Sequence, residues 1–243
     1  MIKLFRKIRR EMLIKNPPAL QEGKFANYIA YAAGEIILVI VGILIALAIN
    51  EHSNNEKKLE LRNSYIIQLH DEADRNLNKL TILDNEAATM LKELDTVFKI
   101  LLYKDYDNPR LSTKSFYLIM SKKFYPVMIT YENLKFSGDL KLFDDLSLRN
   151  AISETYETFN PIEKLESSEQ QAIEAYYENF LMRNVKFRDM GISSDTYEKD
   201  IYFENMVLTR MTTIAQNRAA YSNAIASLKN LRNTYADLQN TNE

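Results

Sequence analysis

The sequence predicts an all-α fold: a single N-terminal transmembrane helix followed by an extracytoplasmic antiparallel helical bundle. Three observations carry this. The stretch Gly34–Asn50, GEIILVIVGILIALAIN, is apolar or glycine throughout Ile36–Ile49. From Ser64 to Tyr103 apolar residues recur at helical spacing with no Pro or Gly among them. Five Gly and five Pro in 243 residues are too few for a turn-rich all-β fold.

The first element is Met1–Leu13, MIKLFRKIRREML, with Ile2, Phe5, Ile8 and Met12 at helical spacing and basic residues between them. Two readings stand side by side. One is a short helix lying on an anionic membrane surface; the other is a basic flank that only sets topology. Pro17-Pro18 end the element, and Asn16–Gly23 reads as a linker.

The membrane helix is expected over 28–50. Ile36–Ile49 alone would span about 21 Å at 1.5 Å per residue, short of the hydrocarbon core. Extended back to Tyr28 the segment is long enough and carries one charge, Glu35. Ala46-Leu47-Ala48 has the small-x-small shape of a signal-peptidase site, but cleavage there would give a leader of 48 residues. That exceeds the usual 15–30 or so, so an uncleaved anchor is expected. Ala30, Gly34, Gly42 and Ala46 fall at multiples of four and form one small-residue stripe, the pattern that lets two membrane helices approach. A homodimer through this helix is one expectation, and incidental small residues are the other. Glu35 is a candidate intramembrane polar residue. Five residues or so inside the boundary, it can also reach the interface beside Tyr28 and Tyr31.

Charge orients the chain. Seven basic and two acidic residues precede Tyr28, a balance of +5, and 24 basic and 30 acidic residues follow from Glu51 on, a balance of −6. Glu35 accounts for the rest of the net −2. The positive-inside bias then makes 1–27 a cytoplasmic segment and 51–243 a periplasmic domain of a bacterial inner-membrane protein. No second apolar run follows, so the chain is expected to end on the side where Glu51 emerges.

In the domain, Ile66, Ala73, Leu80, Ala87, Leu94 and Leu101 repeat every seven residues. Leu69, Leu83, Met90 and Val97 hold the companion positions, and Leu77, Leu91 and Phe98 widen the stripe enough for a bundle. Asn108-Pro109 breaks the chain, and Ser112 or Thr113 is expected to cap a helix through Lys122. Pro126 ends that region. Thr130 is expected to cap a helix that stops at Gly138, and Asp144 or Asp145 the one running to Phe159. Asn160-Pro161 marks a new start or a kink, with helix continuing through Arg183. Asn184–Lys199 reads as a loop, and Asp200 as the cap of a last helix, Ile201 to about Leu238. Its apolar face includes Met211, Ile214, Tyr221, Ala224, Leu228, Leu231, Tyr235 and Leu238. The two longest helices are expected to pack antiparallel.

The basic start MIKLFRKIRREML, the segment GEIILVIVGILIALAIN and the run TYENLKFSGDLKLFDDLSLR together resemble the small membrane proteins of Bacteroidota grouped as domain of unknown function 6090. The membrane segment is the most specific of the three, and the resemblance covers most of the chain. It implies an inner-membrane protein with one helix in the membrane and an extracytoplasmic helical domain. It implies no activity, since the family has none assigned. The Asn-Asn-Trp-Asn-like run usual after the helix is here Asn50-Glu51-His52-Ser53-Asn54-Asn55, without Trp.

The chemistry signals are sparse. With no cysteine there is no disulfide framework and no thiolate metal site. His70 and Asp74 are spaced i, i+4, but two histidines and no Glu-x-x-His pair are too few for a bundle metal centre. Phe136-Ser137-Gly138-Asp139 lacks the first Gly of a nucleophile elbow, and no phosphate-binding glycine loop occurs. The acidic domain disfavours nucleic acid. Neither catalytic residues, cofactor nor metal is therefore expected. The aromatics of the middle third, among them Phe116, Tyr117, Phe124, Tyr156, Phe159 and Tyr177, read as core or as the wall of a ligand cleft between helices. The expected role is a non-enzymatic interaction or scaffold module of the cell envelope, partnered by the bilayer and an envelope protein. A ligand-sensing subunit signalling to a separate partner is the alternative, favoured less because the cytoplasmic segment is too short for a signalling domain. An enzyme with an unrecognised site is the third class.

Overall fold

The structure, a computed structural model, describes residues 24–186, 188, 191–192 and 201–241. The amphipathic start Met1–Leu13, the linker Asn16–Gly23 and the cap at Asp200 lie outside the described residues. The chain divides into two units, Met1–Lys58 and Leu59–Glu243. Among the described residues the regular structure is all helical apart from one pair of two-residue strands.

Helix α1, Lys24–Leu102, is a single element of 79 residues. The polar stretch Glu51–Asn63 is thus helical too, and the helix runs without a break from the apolar segment into the heptad stretch. In the first unit every residue from Ala33 to Asn50 is exposed, and the large aliphatic side chains from Ile36 to Ile49 are 45–65% exposed. This part of α1 is long and apolar enough to cross a membrane. A helix buried in a soluble core would have these side chains covered, each covered one contributing about 1.5–3 kcal/mol.

In the second unit, the heptad residues Ile66, Leu69, Ala73, Leu80, Ala87, Leu94, Val97 and Leu101 are all buried. The helix ends without a glycine. Lys104 takes the left-handed conformation, φ 56°. Its N–H donates to Leu101 O (3.1 Å) and that of Asp105 to Ile100 O (3.0 Å), the paired closing bonds of a Schellman end.

Helix α2, Arg110–Ser115, continues as a 3₁₀ turn Phe116–Leu118. The expected caps are corrected here. Pro109 precedes the helix, Ser112 is buried within it, and the Thr113 hydroxyl donates back to Pro109 O and Arg110 O (3.3 Å each). The helical run stops at Leu118, short of Lys122. Helix α3, Ile129–Ser137, places Thr130 inside the helix rather than at its cap. It ends at Gly138, φ 74°, as expected. After a 3₁₀ turn Asp139–Leu142, Asp145 caps α4, Leu146–Glu157, by accepting from Ser147 N at 2.8 Å. Helix α5, Phe159–Ala172, follows after Thr158, so the break precedes Asn160 and Pro161 sits in the first turn, where a missing N–H costs nothing. A π-helical turn, Ile173–Tyr177, joins it to α6, Glu178–Asn184. Strands β1, Val185–Lys186, and β2, Gly191–Ile192, pair antiparallel in register Val185↔Ile192. Helix α7, Ile201–Thr241, closes the unit.

The expected antiparallel arrangement of the long helices is present. Arg218 pairs with Asp84 (2.8 and 3.1 Å) and Arg232 with Asp74 (3.5 Å), so α7 descends as α1 ascends. Helices α4 and α5 lie against α7. Leu94, fully buried, tests the packing. Leu94→Ala should cost about 2–5 kcal/mol, against about 0.5 or less for the exposed Lys92→Ala, in denaturant unfolding of the full chain. Equal small losses would mean that the stripe is not packed.

Candidate functional site

Between α2 and α3 the chain runs without regular structure from Met120 to Met128. Residues 120–127 take no backbone partner among the described residues, yet Phe124 is buried and Ser121, Val127 and Met128 are partly buried, while the residues between them are exposed. Buried backbone groups must be paired. Here side chains from three helices pair them.

Arg210 of α7, wholly buried, donates through Nε to Leu118 O (3.0 Å) and through Nη2 to Met120 O (2.5 Å). Its third contact is an ion pair from Nη1 to Glu169 of α5. The other oxygen of Glu169 accepts from Asn217 Nδ2 at 2.6 Å. One turn away, Glu166 accepts from Phe124 N (2.9 and 3.1 Å) and from the Tyr221 hydroxyl (2.6 Å). Burial pushes the Glu166 carboxyl above its usual range, opposed by those two donors. Burial and then the bond to Glu166 hold the Tyr221 phenol well above 10.

From α1, the Asn76 side chain makes both bonds to Val127, accepting from its N–H and donating to its carbonyl, each at 2.7 Å. Glu72 accepts from Thr130 N (2.8 Å), Tyr131 N (3.4 Å) and the Tyr156 hydroxyl (2.6 Å). The orphan N–H groups that begin α3 are thus capped by a carboxylate 58 residues earlier in the chain, which is why Thr130 is not needed there. Tyr131 and Tyr156 stack with ring centres 4.3 Å apart.

This clamp forms one wall of a half-open cleft of about 380 Å³. Its apolar sides come from Leu83, Ala87 and Met90 of α1, Tyr117 and Met120 beside the clamped segment, and Ile214 and Tyr221 of α7. Glu86, Ser121, Lys122, Glu169 and Asn217 supply its polar groups. Lys122 Nζ lies 2.5 Å from Glu86 Oε1, and Glu169 is held by Arg210, so both carboxylates are charge-compensated. Three of these residues each keep one buried side-chain atom without a hydrogen-bond partner, out of reach of the cleft: Glu86 Oε2, Ser121 Oγ and Asn217 Oδ1. The volume falls within the roughly 300–1,000 Å³ of small-molecule pockets.

The chain matches no family model, no curated protein and no solved structure. The site is therefore read from its own atoms.

The residues singled out by sequence lie elsewhere. Ala30, Gly34, Gly42 and Ala46 sit on the first unit's part of α1, with open space where a Cβ would stand at Gly34 and Gly42. Glu35 is exposed on the same helix and has no ion pair among the described residues. His70 Nδ1 is 3.7 Å from Asp74 Oδ2, and His70 is partly buried. No group of three or more potential ligands is placed to hold a metal among the described residues. The aromatic cluster divides: Phe124, Phe143, Tyr156, Phe159 and Tyr177 are core, Tyr125 and Tyr176 are exposed, and Tyr117 lines the cleft.

Glu72, Asn76, Glu166, Glu169, Arg210 and Asn217 were not expected. A signal for four of them exists. Arg210 and Asn217 occupy the alternating three–four apolar seam of α7, between Val207, Ile214 and Tyr221. Glu166 and Glu169 interrupt the same seam in α5, between Ile162 and Ile173. A charged residue on a seam that must be buried needs a partner, and that expectation locates the clamp.

Proposed function

We propose that this chain is a single-pass module of the bacterial inner membrane, its N-terminus cytoplasmic and its helical domain periplasmic, that works by binding rather than by catalysis. The observation that carries the reading is the exposed apolar face of α1 from Ala33 to Asn50, which only lipid or another membrane helix would cover. The charge balance of +5 before it and −6 after it supplies the orientation. The resemblance to the family of domain of unknown function 6090 supports the same arrangement. The non-catalytic part rests on how the buried carboxylates are used: Glu72, Glu166 and Glu169 are all engaged by donors that hold residues 118–131 in place. Groups bound in this way orient backbone rather than substrate.

A phosphatase fused to the C-terminus should be active in intact cells, and a fluorescent protein fused at the same place should stay dark. The opposite pair of results overturns the orientation.

The cleft favours a second reading, a ligand-sensing subunit that acts through a separate partner. Its concave shape and apolar walls suit a small molecule better than a flat protein surface.

A further inference from the structure

We infer that the cleft between α1 and α7 binds an uncharged aromatic molecule of two or three fused rings, held by apolar contact rather than through a polar head group. The inference rests on the ligand-sensing reading and deepens it by naming the class of ligand. It is independent of membrane topology, because every cleft residue lies in the unit Leu59–Glu243.

Four observations carry it. The first is what the lining offers. Its polar groups are spent within the fold: the Tyr221 hydroxyl donates to Glu166, Asn217 Nδ2 to Glu169, and Thr89 Oγ1 to Asn85 O at 3.0 Å. What is left for a ligand is apolar, from Leu83, Ala87, Met90, Tyr117, Met120 and Ile214. The second is charge. Lys122 is paired with Glu86 and Arg210 with Glu169, so an ion of either sign would have to break into an existing pair. The third is size. The volume of about 380 Å³ is more than twice that of an apolar cavity of about 150 Å³, which takes up one benzene. One turn of α-helix, with a diameter of about 10 Å, fills roughly 400 Å³, so a partner's helix would not enter. The fourth is sulfur. Met90, partly buried, and Met120, 49% exposed, both line the cleft. Thioether sulfur makes favourable contacts with the edges of aromatic rings, and the unbranched side chain adapts its shape to them. Leu83 and Tyr117 are also only partly covered, so a bound ring system would bury apolar surface now left open. The walls do not collapse onto one another, because the clamp fixes them: Arg210 holds Met120 O, and Glu166 holds Tyr221. Water in such a cleft finds few partners, and an apolar ligand displaces it at a gain.

The test uses the full chain in lipid nanodiscs with ¹³C-labelled methionine methyls, followed by NMR, so that the signal comes from the protein and not from probe dissolved in lipid. Affinities are referred to the free aqueous probe concentration. The probe is naphthalene, set beside decalin, which has a similar size without the aromatic rings, and beside naphthoate and naphthylmethylammonium. Naphthalene should shift the Met90 and Met120 methyls saturably through its ring current, and leave Met182, outside the lining, in place. Decalin should bind about fivefold more weakly, as loss of the sulfur–ring contacts gives. Both ions should bind at least about tenfold more weakly, because their charge loses water against an apolar lining. Met120→Ala keeps the carbonyl that Arg210 holds; read at Met90, it should weaken naphthalene about fivefold and leave the thermal melt close to wild type. Ala87→Phe should fill the cleft and abolish the shifts, and if it fails to fold, Met120→Ala decides. Tighter binding of either ion than of naphthalene, equal affinity for naphthalene and decalin, or full affinity in Met120→Ala overturns the aromatic assignment and leaves the ligand-sensing reading standing. No saturable shift at Met90 or Met120 with any probe overturns both. None of these outcomes bears on membrane orientation, which the fusion experiment reads separately.

Discussion

Arg210→Met should destabilise the domain by about 3–5 kcal/mol, the range for removing one partner of a buried ion pair. The methionine fills most of the volume, so the loss is electrostatic rather than a cavity. Glu169 would keep only Asn217 as a donor, and the carbonyls of Leu118 and Met120 would be left unpaired. A buried pair is not in itself a stabilising device, since an apolar pair of similar size is often as good. The double variant Arg210→Met/Glu169→Met should therefore recover part of the loss. It should not recover all of it, because the two carbonyls remain without donors. Urea unfolding of the full chain in detergent gives the four corners of the cycle. A single-variant loss below about 1 kcal/mol would mean that Arg210 is not buried against this segment, and full recovery would mean that its bonds to the carbonyls are unimportant.

Glu72→Ala should lose a similar amount, about 3–5 kcal/mol. Three donors lose their acceptor at once, at about 1–3 kcal/mol for each buried donor left unpaired. Two are the backbone N–H groups at the start of α3, and the third is the Tyr156 hydroxyl. Glu72→Gln should cost less, since an amide oxygen can still accept while its NH₂ has to find a new partner. The loss should also show in the aromatic near-ultraviolet dichroism, because the Tyr131–Tyr156 stack is held from both sides by this carboxylate. An unchanged aromatic spectrum together with a loss below about 1 kcal/mol would remove Glu72 from the clamp.

Much of the architecture was legible from local pattern. The seven-residue spacing of Ile66 to Leu101 places those residues in the core, because helical periodicity and burial follow from the same geometry. Gly138 and Asp145 perform the local tasks their residue types suggest, a left-handed turn and a side-chain cap. The misplaced caps are also instructive. Ser112, Thr113 and Thr130 are good capping residues, but each lies within a helix instead. At α3 the capping site is taken by Glu72, which a local rule cannot see.

The sequence by itself determined the helical class, the long apolar segment, the charge asymmetry across it and the faces the helices bury. These depend on residues within a few positions of one another, and one turn of helix brings them together. Only the tertiary structure decided what the polar residues on those faces hold. Met120 to Met128 forms neither helix nor sheet, so its backbone must be satisfied by side chains from afar: Asn76 at 51 residues, Glu166 at 42, Arg210 at 90 from Met120. The cleft is a by-product of the same arrangement, since a segment without regular structure cannot fill the space between α1 and α7 as a helix would. Its lining residues, Glu86, Ser121 and Asn217 among them, come from three parts of the chain and meet only when the bundle closes, because no local periodicity relates residues so far apart.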